Sequence, residues 1–367
     1  MFKLKIKRRD LGFKSYALFT VLIIICLIIF GSFIVNTKKL TKEEQNISLK
    51  LDNHMEMAAK NDGFNGSVLV ASKGKVLLAK GYGLADRENK VLCTEQTRFM
   101  IGSLTKQFTS MAIMQLEEKG LLSVNDNVKK YIPSFPYGEK ITIHQLLSHI
   151  SGLPRDFSLD VQPSSTKDAL KMLINKGFEL SFTPGEVFNY SNAGYQLLGL
   201  VIEKASGKTY EEYVQENIFN PLSMVNSGFG YDRNTNTKLA KSYETSGELI
   251  TKDAHIDWVS IAMFSAGEIY STIGDLYKWD RALYTEKLVS VKTLDKIFTP
   301  VINDYGYGWH IITPGHKGEN WHDGLVFGFT SQELRVSKSD TYYLILSDNN
   351  NTTLSQIMAT LSQELPK

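Results

Sequence analysis

Residues 99–109 read Phe-Met-Ile-Gly-Ser-Leu-Thr-Lys-Gln-Phe-Thr and combine an apolar approach with a serine and a lysine three positions apart. From Ser103 onwards, apolar residues recur at helical intervals to about Lys119, and Gly120 is a typical helix stop. Positions i and i+3 share one face of a helix, so the amine of Lys106 can reach the Ser103 hydroxyl. A hydroxyl becomes a good nucleophile when a base takes its proton, and a lysine whose pKa is lowered by burial can do so. The segment therefore predicts at Ser103 either a nucleophile or a helix cap.

The Ser-x-x-Lys spacing alone is a weak signal, because the sequence contains it three times. The first copy falls in a predicted hairpin turn, where both residues would be ordinary solvated side chains. The third precedes a helical run, where capping explains its serine. Only Ser103 follows a glycine and opens a strongly amphipathic helix, whose free N–H groups could also stabilise an oxyanion. The three pairs are Ser72 and Lys75, Ser103 and Lys106, and Ser164 and Lys167.

Motifs of several other catalytic classes are missing from the sequence. No serine has glycine at both −2 and +2, which excludes the nucleophile elbow of α/β-hydrolases. No His-Glu-x-x-His motif and no Walker-type phosphate loop occur. The seven histidines are scattered, so we expect no metal site and no cofactor.

The composition is that of an ordinary globular protein and limits the possible partners. With 43% hydrophobic and 22% charged residues in a chain of 367, disorder, collagen and coiled coil are excluded as descriptions of the whole chain. A net charge of +2 is too near neutral to indicate a nucleic-acid partner. The charge is unevenly placed, since residues 1–40 carry a net +7 and the remainder a net −5.

A long apolar run near the N-terminus predicts a membrane anchor. Tyr16–Val35 is 20 residues without a charge, and a helix of that length rises about 30 Å, the thickness of a bilayer core. A cleaved signal peptide, the alternative, would have a shorter apolar core and a small-residue cleavage site. Most of the nearby basic residues precede the run, so we expect the N-terminus in the cytoplasm and the rest of the chain outside. The predicted divisions are a cytoplasmic tail (1–15), a transmembrane anchor in the lipid bilayer (16–36), a linker with the first helix (37–62) and a main domain (63–365).

The two cysteines fit an extracytoplasmic bacterial protein. Cys26 lies in the apolar run, which leaves Cys93 alone and excludes an internal disulfide or a thiolate cluster in the main domain. A secreted eukaryotic domain of this size would more often carry disulfides. We therefore expect a single-pass protein of the bacterial cell membrane.

The order of the predicted elements indicates an α/β (α+β) fold with an antiparallel sheet. Two strand-length runs around a glycine-containing turn in residues 67–79 predict a β-hairpin. Residues 120–300 are mostly helical in pattern, and strand signals return at 308–312, 325–335 and 341–346. We expect one antiparallel sheet built from both chain ends, flanked by helices, with a mostly helical subdomain inserted between them.

Residues 99–109 also resemble the first motif of the serine β-lactamase-like superfamily. The nearest branch comprises class C β-lactamases, low-molecular-weight penicillin-binding proteins and related D-alanyl esterases and peptidases. Further segments similar to that branch follow in its order, so the resemblance spans about residue 40 to 350. They are Leu-Leu-Ser-His-Ile-Ser-Gly-Leu-Pro (146–154), Phe-Thr-Pro-Gly-Glu (182–186), Tyr-Ser-Asn (190–192), Ala-Gly-Glu-Ile-Tyr-Ser-Thr (266–272) and Tyr-Gly-Tyr-Gly-Trp (305–309). The resemblance implies a β-lactamase/transpeptidase-like fold, with Ser103 as the nucleophile and Lys106 as its proton partner.

The second motif supplies two further site residues by the same resemblance. Tyr190 is then the partner base or proton shuttle, and Asn192 binds the substrate amide. A phenol has an ordinary pKa near 10, and a neighbouring lysine ammonium would favour its phenolate form. Without the resemblance, a buried aromatic residue and a turn former would explain this pair. His149 and Glu186 are expected to be turn residues without a catalytic role.

The third motif, a Lys-Thr-Gly triplet in many relatives, reads His322-Asp323-Gly324 here. His322 and Gly324 are therefore expected to line the substrate site, and Gly324 would let the substrate backbone lie close. The backbone N–H groups of Ser103 and Leu325 would form the oxyanion hole. A histidine is only partly charged near neutral pH, so substrates with a carboxylate would bind less well than beside a lysine.

Together these predictions describe a membrane-anchored, extracytoplasmic serine hydrolase that works through an acyl-enzyme. Its expected substrates are cell-wall peptides, D-alanyl esters or β-lactams, with D-alanyl-D-alanine carboxypeptidase or D-alanyl esterase activity and penicillin binding. One alternative is a class C-like β-lactamase, and another is a catalytically idle receptor for penicillin or wall fragments. The sequence leaves open the natural substrate, the type of bond and the oligomeric state.

Overall fold

The computed structural model describes residues 40–156, 168, 172, 177–230, 238–246, 249–252, 263–350 and 354–365. The chain divides by its contacts into Met1–Thr41 and Lys42–Lys367, and all the elements given below belong to the second unit. The predicted tail and anchor, 1–15 and 16–36, lie outside the described residues, as does Ser164. Among the helices that are described, none is both long and apolar enough to span a membrane.

The α-helices of the described residues are α1 (Lys42–Asn61), α2 (Thr105–Glu118), α3 (Ile143–Leu147), α4 (Asn192–Ser206), α5 (Tyr210–Val214), α6 (Asn220–Leu222), α7 (Ile273–Ala282), α8 (Val291–Ile297) and α9 (Leu354–Gln363). Short 3-10 turns lie at Gly102–Leu104, Val128–Lys130, Phe264–Ala266 and Ser337–Ser339, and a π-turn at Gln215–Phe219 joins α5 to α6. The strands are β1 (Gly66–Ser72), β2 (Lys75–Tyr82), β3 (Leu84–Asp86), β4 (Val91–Leu92), β5 (Phe99–Met100), β6 (Gly228–Phe229), β7 (Tyr243–Ser246), β8 (Leu249–Lys252), β9 (Ile269–Ser271), β10 (His310–Ile311), β11 (Glu319–Val326), β12 (Phe329–Val336) and β13 (Thr341–Ser347).

The main sheet joins both ends of the domain. Among the described strands, six pair in the antiparallel order β10-β11-β12-β13-β1-β2. β1 lies between its hairpin partner β2 and the late strand β13, with Gly66 opposite Ser347. The apolar residues Leu51, Met55 and Ala58 of α1 are buried where that helix packs against β2 and α9. The predicted α/β fold with an antiparallel sheet built from both chain ends is confirmed.

The strand signal over 325–335 covers parts of two strands, because a tight turn at Phe327 and Gly328 divides it. β11 begins before this segment and folds back on β12, with Val326 opposite Phe329. Both turn residues have positive φ, 41° and 83°, as a type I′ hairpin requires. Because a phenylalanine rarely adopts the left-handed region, the residue type concealed the turn.

The middle of the chain is less uniformly helical than its pattern suggests. β5, β9 and β6 form a three-stranded antiparallel sheet, and β7 pairs with β8. Most of these strands are only two to four residues long. Such short strands produce no recognisable alternation, so they could not be predicted.

Helix α2 is buried from Thr105 to Leu116 and packs against α4 and α8. A helix buried all round is ordinarily apolar, but this one carries polar side chains in its first turns. Each of them has a partner: Gln107 donates to Glu333 on β12, and Thr109 donates to the Ser265 carbonyl at 2.6 Å. Since buried polar groups are costly unless paired, their concentration here marks a functional part of the domain.

Candidate active site

Ser103 lies in the 3-10 turn directly before α2. Its hydroxyl caps neither helical segment and instead accepts a hydrogen bond from Lys106 Nζ at 3.0 Å. The turn is possible because residue 102 is glycine: its φ is 53°, and a Cβ on Gly102 would lie 2.9 Å from the backbone nitrogen of Leu325. Of the two alternatives for Ser103, the geometry favours the nucleophile over the helix cap.

The Lys106 amine is fully buried and all three of its possible hydrogen bonds are made. Besides the Ser103 hydroxyl, it donates to Oδ1 of Asn192 at 2.8 Å and to the Ala266 carbonyl at 2.8 Å. These acceptors come from three separate parts of the chain. The amine is therefore held in one position, directed at the serine oxygen.

The environment of Lys106 also sets its protonation. The pKa of Lys106 is lowered to about 7, mainly because burial penalises the ammonium form. Asp156 and Asp323 oppose this by raising the pKa of Lys106, whereas Arg155 lowers it further. Near neutral pH the amine is present in both protonation states, which suits a group that must accept and return a proton.

Tyr190 contacts Lys106 through its ring, whose centre lies 4.9 Å from Nζ. Its buried hydroxyl makes no hydrogen bond with any residue in the described part of the chain. Burial raises the pKa of Tyr190 above its ordinary value, although the nearby Ser103 hydroxyl acts to lower it. Burial thus opposes the phenolate form that a neighbouring lysine was expected to favour, and it keeps Tyr190 a neutral phenol in the resting site.

Asn192 is the first residue of α4 and connects the lysine to the mouth of the site. Its Oδ1 accepts from Lys106, and its Nδ2 donates to Oδ1 of Asp156 at 2.7 Å. The preceding residue, Ser191, caps the helix by accepting from the Gly194 N–H at 3.0 Å. The oxygen of the predicted amide-binding side chain thus holds Lys106, and one of the two Nδ2 hydrogens is used by Asp156.

His322 is buried on β11 and is held as a neutral imidazole. Its Nδ1 lies 2.6 Å from the Asp323 carbonyl, and its Nε2 lies 3.0 Å from the Tyr305 hydroxyl. These partners assign the proton to Nδ1 and leave Nε2 to accept from the tyrosine. Burial lowers the pKa of His322 well below its ordinary value. The residue in the place of the usual lysine thus brings no positive charge to the site.

Gly324 and Leu325 place the backbone of β11 against the serine turn. A Cβ on Gly324 would lie 2.2 Å from the Ile101 carbonyl oxygen and 3.1 Å from the Ser103 backbone nitrogen. Val326 and Phe329 flank the two-residue turn, so they form a hydrogen-bonded pair between β11 and β12. Along an antiparallel strand the N–H groups point to alternate sides, and the Leu325 N–H therefore points away from β12. That is the side on which the serine turn lies, which is compatible with an oxyanion hole formed by the two N–H groups.

His149, just beyond α3, contacts the site although the sequence did not predict it as a site residue. Its ring stacks on the Tyr190 ring with centroids 4.2 Å apart, and its Nδ1 accepts from the Ser191 N–H at 3.0 Å. His149 is a turn residue as expected, with φ at 59°, but its side chain supports the second motif. Sequence spacing contains no signal for this stacking.

Arg155 is a second such neighbour, and its guanidinium lies 5.5 Å from the centre of the Tyr190 ring. Its carbonyl accepts from the Asn192 N–H at 2.7 Å and the Ala193 N–H at 3.2 Å. Arg155 and Asp156 thus lie at the N-terminus of α4, next to the pocket. In the described residues no three His, Cys, Asp or Glu side chains come together so as to hold a metal ion.

Comparison with known proteins agrees with this geometry. The model of the Beta-lactamase family matches residues 51–359. The PbpX protein of Bacillus subtilis (strain 168) is 33% identical over 332 residues, which cover 88% of this chain and 81% of that protein. Penicillin-binding protein 4* of the same organism is 30% identical over 333 residues, covering 84% of this chain and 74% of that protein.

Solved structures show the same fold. A penicillin-binding protein of Bacillus halodurans has a TM-score of 0.75 at 26% identity, covering 86% of this chain and 100% of that one. A class C β-lactamase has a TM-score of 0.77 at 20% identity, covering 90% of this chain and 99% of that one, and it supports the fold alone. The ordered segments, the fold and the match to the family model lead to one conclusion: this chain belongs to the Beta-lactamase family of serine hydrolases, together with penicillin-binding proteins.

Proposed function

We propose that this protein is a serine hydrolase that acts through an acyl-enzyme on cell-wall-related amides or esters outside the cell. The observation that carries the proposal is the buried Lys106 amine, which lies 3.0 Å from the Ser103 hydroxyl and has a pKa lowered to about 7. A base with a pKa near the working pH combines a useful deprotonated fraction with enough basicity to take a proton.

The reaction would begin when the neutral Lys106 amine takes the Ser103 proton and the serine oxygen attacks the substrate carbonyl. The charge that develops on the carbonyl oxygen would be stabilised by the N–H groups of Ser103 and Leu325. The neutral Tyr190 phenol is suited to give a proton to the leaving group. Water, activated by Tyr190 and Lys106, would then release the acyl group and restore the serine.

Within this class we favour a D-alanyl-D-alanine carboxypeptidase or a D-alanyl esterase over a β-lactamase. The neutral His322 provides no cation for a substrate carboxylate, which weakens the binding of β-lactams without preventing their acylation. A peptide that ends in D-alanyl-D-alanine carries a carboxylate as well, so this feature favours the D-alanyl esterase within the pair. Similarity to penicillin-binding proteins supports covalent reaction with penicillin.

Labelling of the full chain with a fluorescent fluorophosphonate and a fluorescent penicillin tests the proposal. We expect both probes to react at Ser103, and Ser103→Ala to abolish the signal. Slow, persistent penicillin labelling supports a peptidase or esterase, whereas rapid turnover of nitrocefin would establish a β-lactamase. Labelling that persists in Ser103→Ala would show that the nucleophile is wrong, and no covalent reaction at all would favour an idle receptor.

The location of the enzyme is a separate part of the proposal, supported by the apolar run of residues 16–36 and its basic flank. Membranes of cells that express the full chain should retain it after washing with high salt, and its mature N-terminus should precede residue 16. Release by salt, or a mature chain that starts after residue 36, would contradict the anchor.

A further inference from the structure

Asp323 is an exposed carboxylate on β11, between the two site residues His322 and Gly324. Its side chain makes no ion pair or hydrogen bond with any residue of the described part of the chain, whereas Asp156 at the same site is bonded to Asn192. An exposed and unpaired charge at this position is placed to act on a molecule that enters the site.

Next to Asp323, the edge of β11 is not paired with any strand of the described residues. β10 pairs with β11 only at Asn320 and Trp321, so no described strand covers that edge from His322 onwards. The Leu325 N–H opens onto the same edge, and Asp323 precedes it by two residues, about 7 Å along the strand. A substrate whose carbonyl oxygen is bound at Leu325 therefore passes close to the Asp323 carboxylate.

The charge of Asp323 also reaches into the pocket, where it acts to raise the pKa of Lys106 and of Tyr190. The other exposed charges at the mouth offset each other, since Arg155 Nε lies 3.7 Å from Oδ2 of Asp156. The neutral His322 contributes no compensating cation. The edge of β11 consequently has a negative charge that no ion pair within the described residues neutralises.

We propose, on the basis of the serine hydrolase function above, that Asp323 selects esters or amides of amino acids with a free ammonium group beside the scissile carbonyl. The same carboxylate disfavours substrates that place a carboxylate at that position. An ion pair in water contributes little, but substrate binding excludes part of the water, so we expect a three- to tenfold effect on kcat/KM, to order of magnitude.

Three benzyl esters that differ in one group test this inference on the full chain in detergent. D-alanine benzyl ester carries an ammonium, benzyl propionate carries no charge, and the monobenzyl ester of methylmalonate carries a carboxylate at the same carbon. Release of benzyl alcohol is measured for the wild type and for Asp323→Asn, which keeps the shape and removes the charge. Ratios between the two proteins cancel the intrinsic reactivity of each ester. Asp62→Asn, an exposed aspartate at the end of α1, is the matched control.

Relative to the propionate ester, Asp323→Asn should lower kcat/KM for the alanine ester about three- to tenfold and raise kcat/KM for the malonate ester by a similar factor. Asp62→Asn should change none of them. Equal changes in kcat/KM for all three esters, or no change for any of them, would overturn this inference. The proposed function would still hold if hydrolysis depends on Ser103. The inference is also wrong if none of the esters is hydrolysed although Ser103 reacts with the fluorophosphonate. Hydrolysis that survives Ser103→Ala would instead overturn the proposed function, and this inference with it.

Discussion

Oδ1 of Asn192 lies 2.8 Å from Nζ of Lys106, so a residue of the second motif holds the amine of the first. The ammonium form of Lys106 has three hydrogens, and they are donated to Asn192, Ser103 and Ala266. These hydrogen bonds stabilise the charged form despite its burial. When Lys106 loses a proton, its nitrogen can instead accept a hydrogen bond from the Ser103 hydroxyl. The site thus balances burial, which favours the neutral amine, against a complete set of acceptors, which favours the cation.

Acylation of Ser103 is expected to become faster as pH rises through about 7. The pKa of Lys106 is lowered to about 7, and only the neutral amine can accept the serine proton, so the rate should rise and level off above that pH. Second-order rate constants for fluorophosphonate labelling between about pH 5 and about pH 9 measure this. Lys106→Arg, which stays charged throughout, should react very slowly at every pH. A wild-type rate that still rises steeply at about pH 9, without levelling off, would contradict the lowered pKa of Lys106.

Tyr190→Phe should lower the catalytic rate but leave the free energy of unfolding almost unchanged. The hydroxyl is buried without a hydrogen bond to the described residues, so its removal should change the free energy of unfolding by less than about 1 kcal/mol. If Tyr190 transfers protons, turnover of an ester substrate should fall roughly 10²–10⁴-fold. Urea unfolding and steady-state kinetics on the same protein provide both quantities. A variant that is strongly destabilised, or that keeps full turnover, would show that the hydroxyl has a structural role or none.

Gly324→Ala should impair acylation through the backbone of β11. A Cβ at this position would lie 2.2 Å from the Ile101 carbonyl oxygen and 2.3 Å from Ser331 Oγ, so β11 must move away from the serine turn. Displacement of the Leu325 N–H should lower the acylation rate roughly 10²–10³-fold. Gly274→Ala, on α7 with no atom closer than 4.0 Å to the added carbon, is the control and should react normally. Equal rates for both variants would argue against an oxyanion hole on β11.

Two substitutions of His149 should distinguish its two contacts. His149→Phe keeps a ring to stack on Tyr190 but leaves the buried Ser191 N–H without an acceptor, which should cost about 1–3 kcal/mol of unfolding free energy. His149→Asn tolerates the φ of 59° and can accept a hydrogen bond, but it removes the stacking.

We therefore expect His149→Asn to be the more stable variant in urea unfolding and to lose more esterase activity, because the Tyr190 ring is no longer positioned. The opposite order in both measurements would show that the ring contact, and not the hydrogen bond, stabilises this turn.

Much of the fold could be inferred from patterns that are local in the chain. The hairpin of β1 and β2, the amphipathic repeat of α1 and the late strands are visible because a half-buried element repeats its apolar residues at a period of two or 3.6. The proximity of Ser103 and Lys106 has the same origin, since their spacing alone places them on one helical face. The turn at Phe327 escaped prediction because pairing between β11 and β12 imposes a conformation that phenylalanine rarely adopts.

Residue spacing is a property of the covalent chain. The sequence alone therefore predicted the candidate nucleophile Ser103, the neighbouring amine of Lys106 and the antiparallel sheet. The charge and protonation of the site residues could not be predicted from the sequence, because they depend on burial and on contacts between residues far apart in the chain. The neutral imidazole of His322, the unpaired phenol of Tyr190 and the support from His149 all arise from packing in three dimensions. Only the folded chain places the Asp323 carboxylate beside a strand edge that no described strand covers, two residues from the Leu325 N–H.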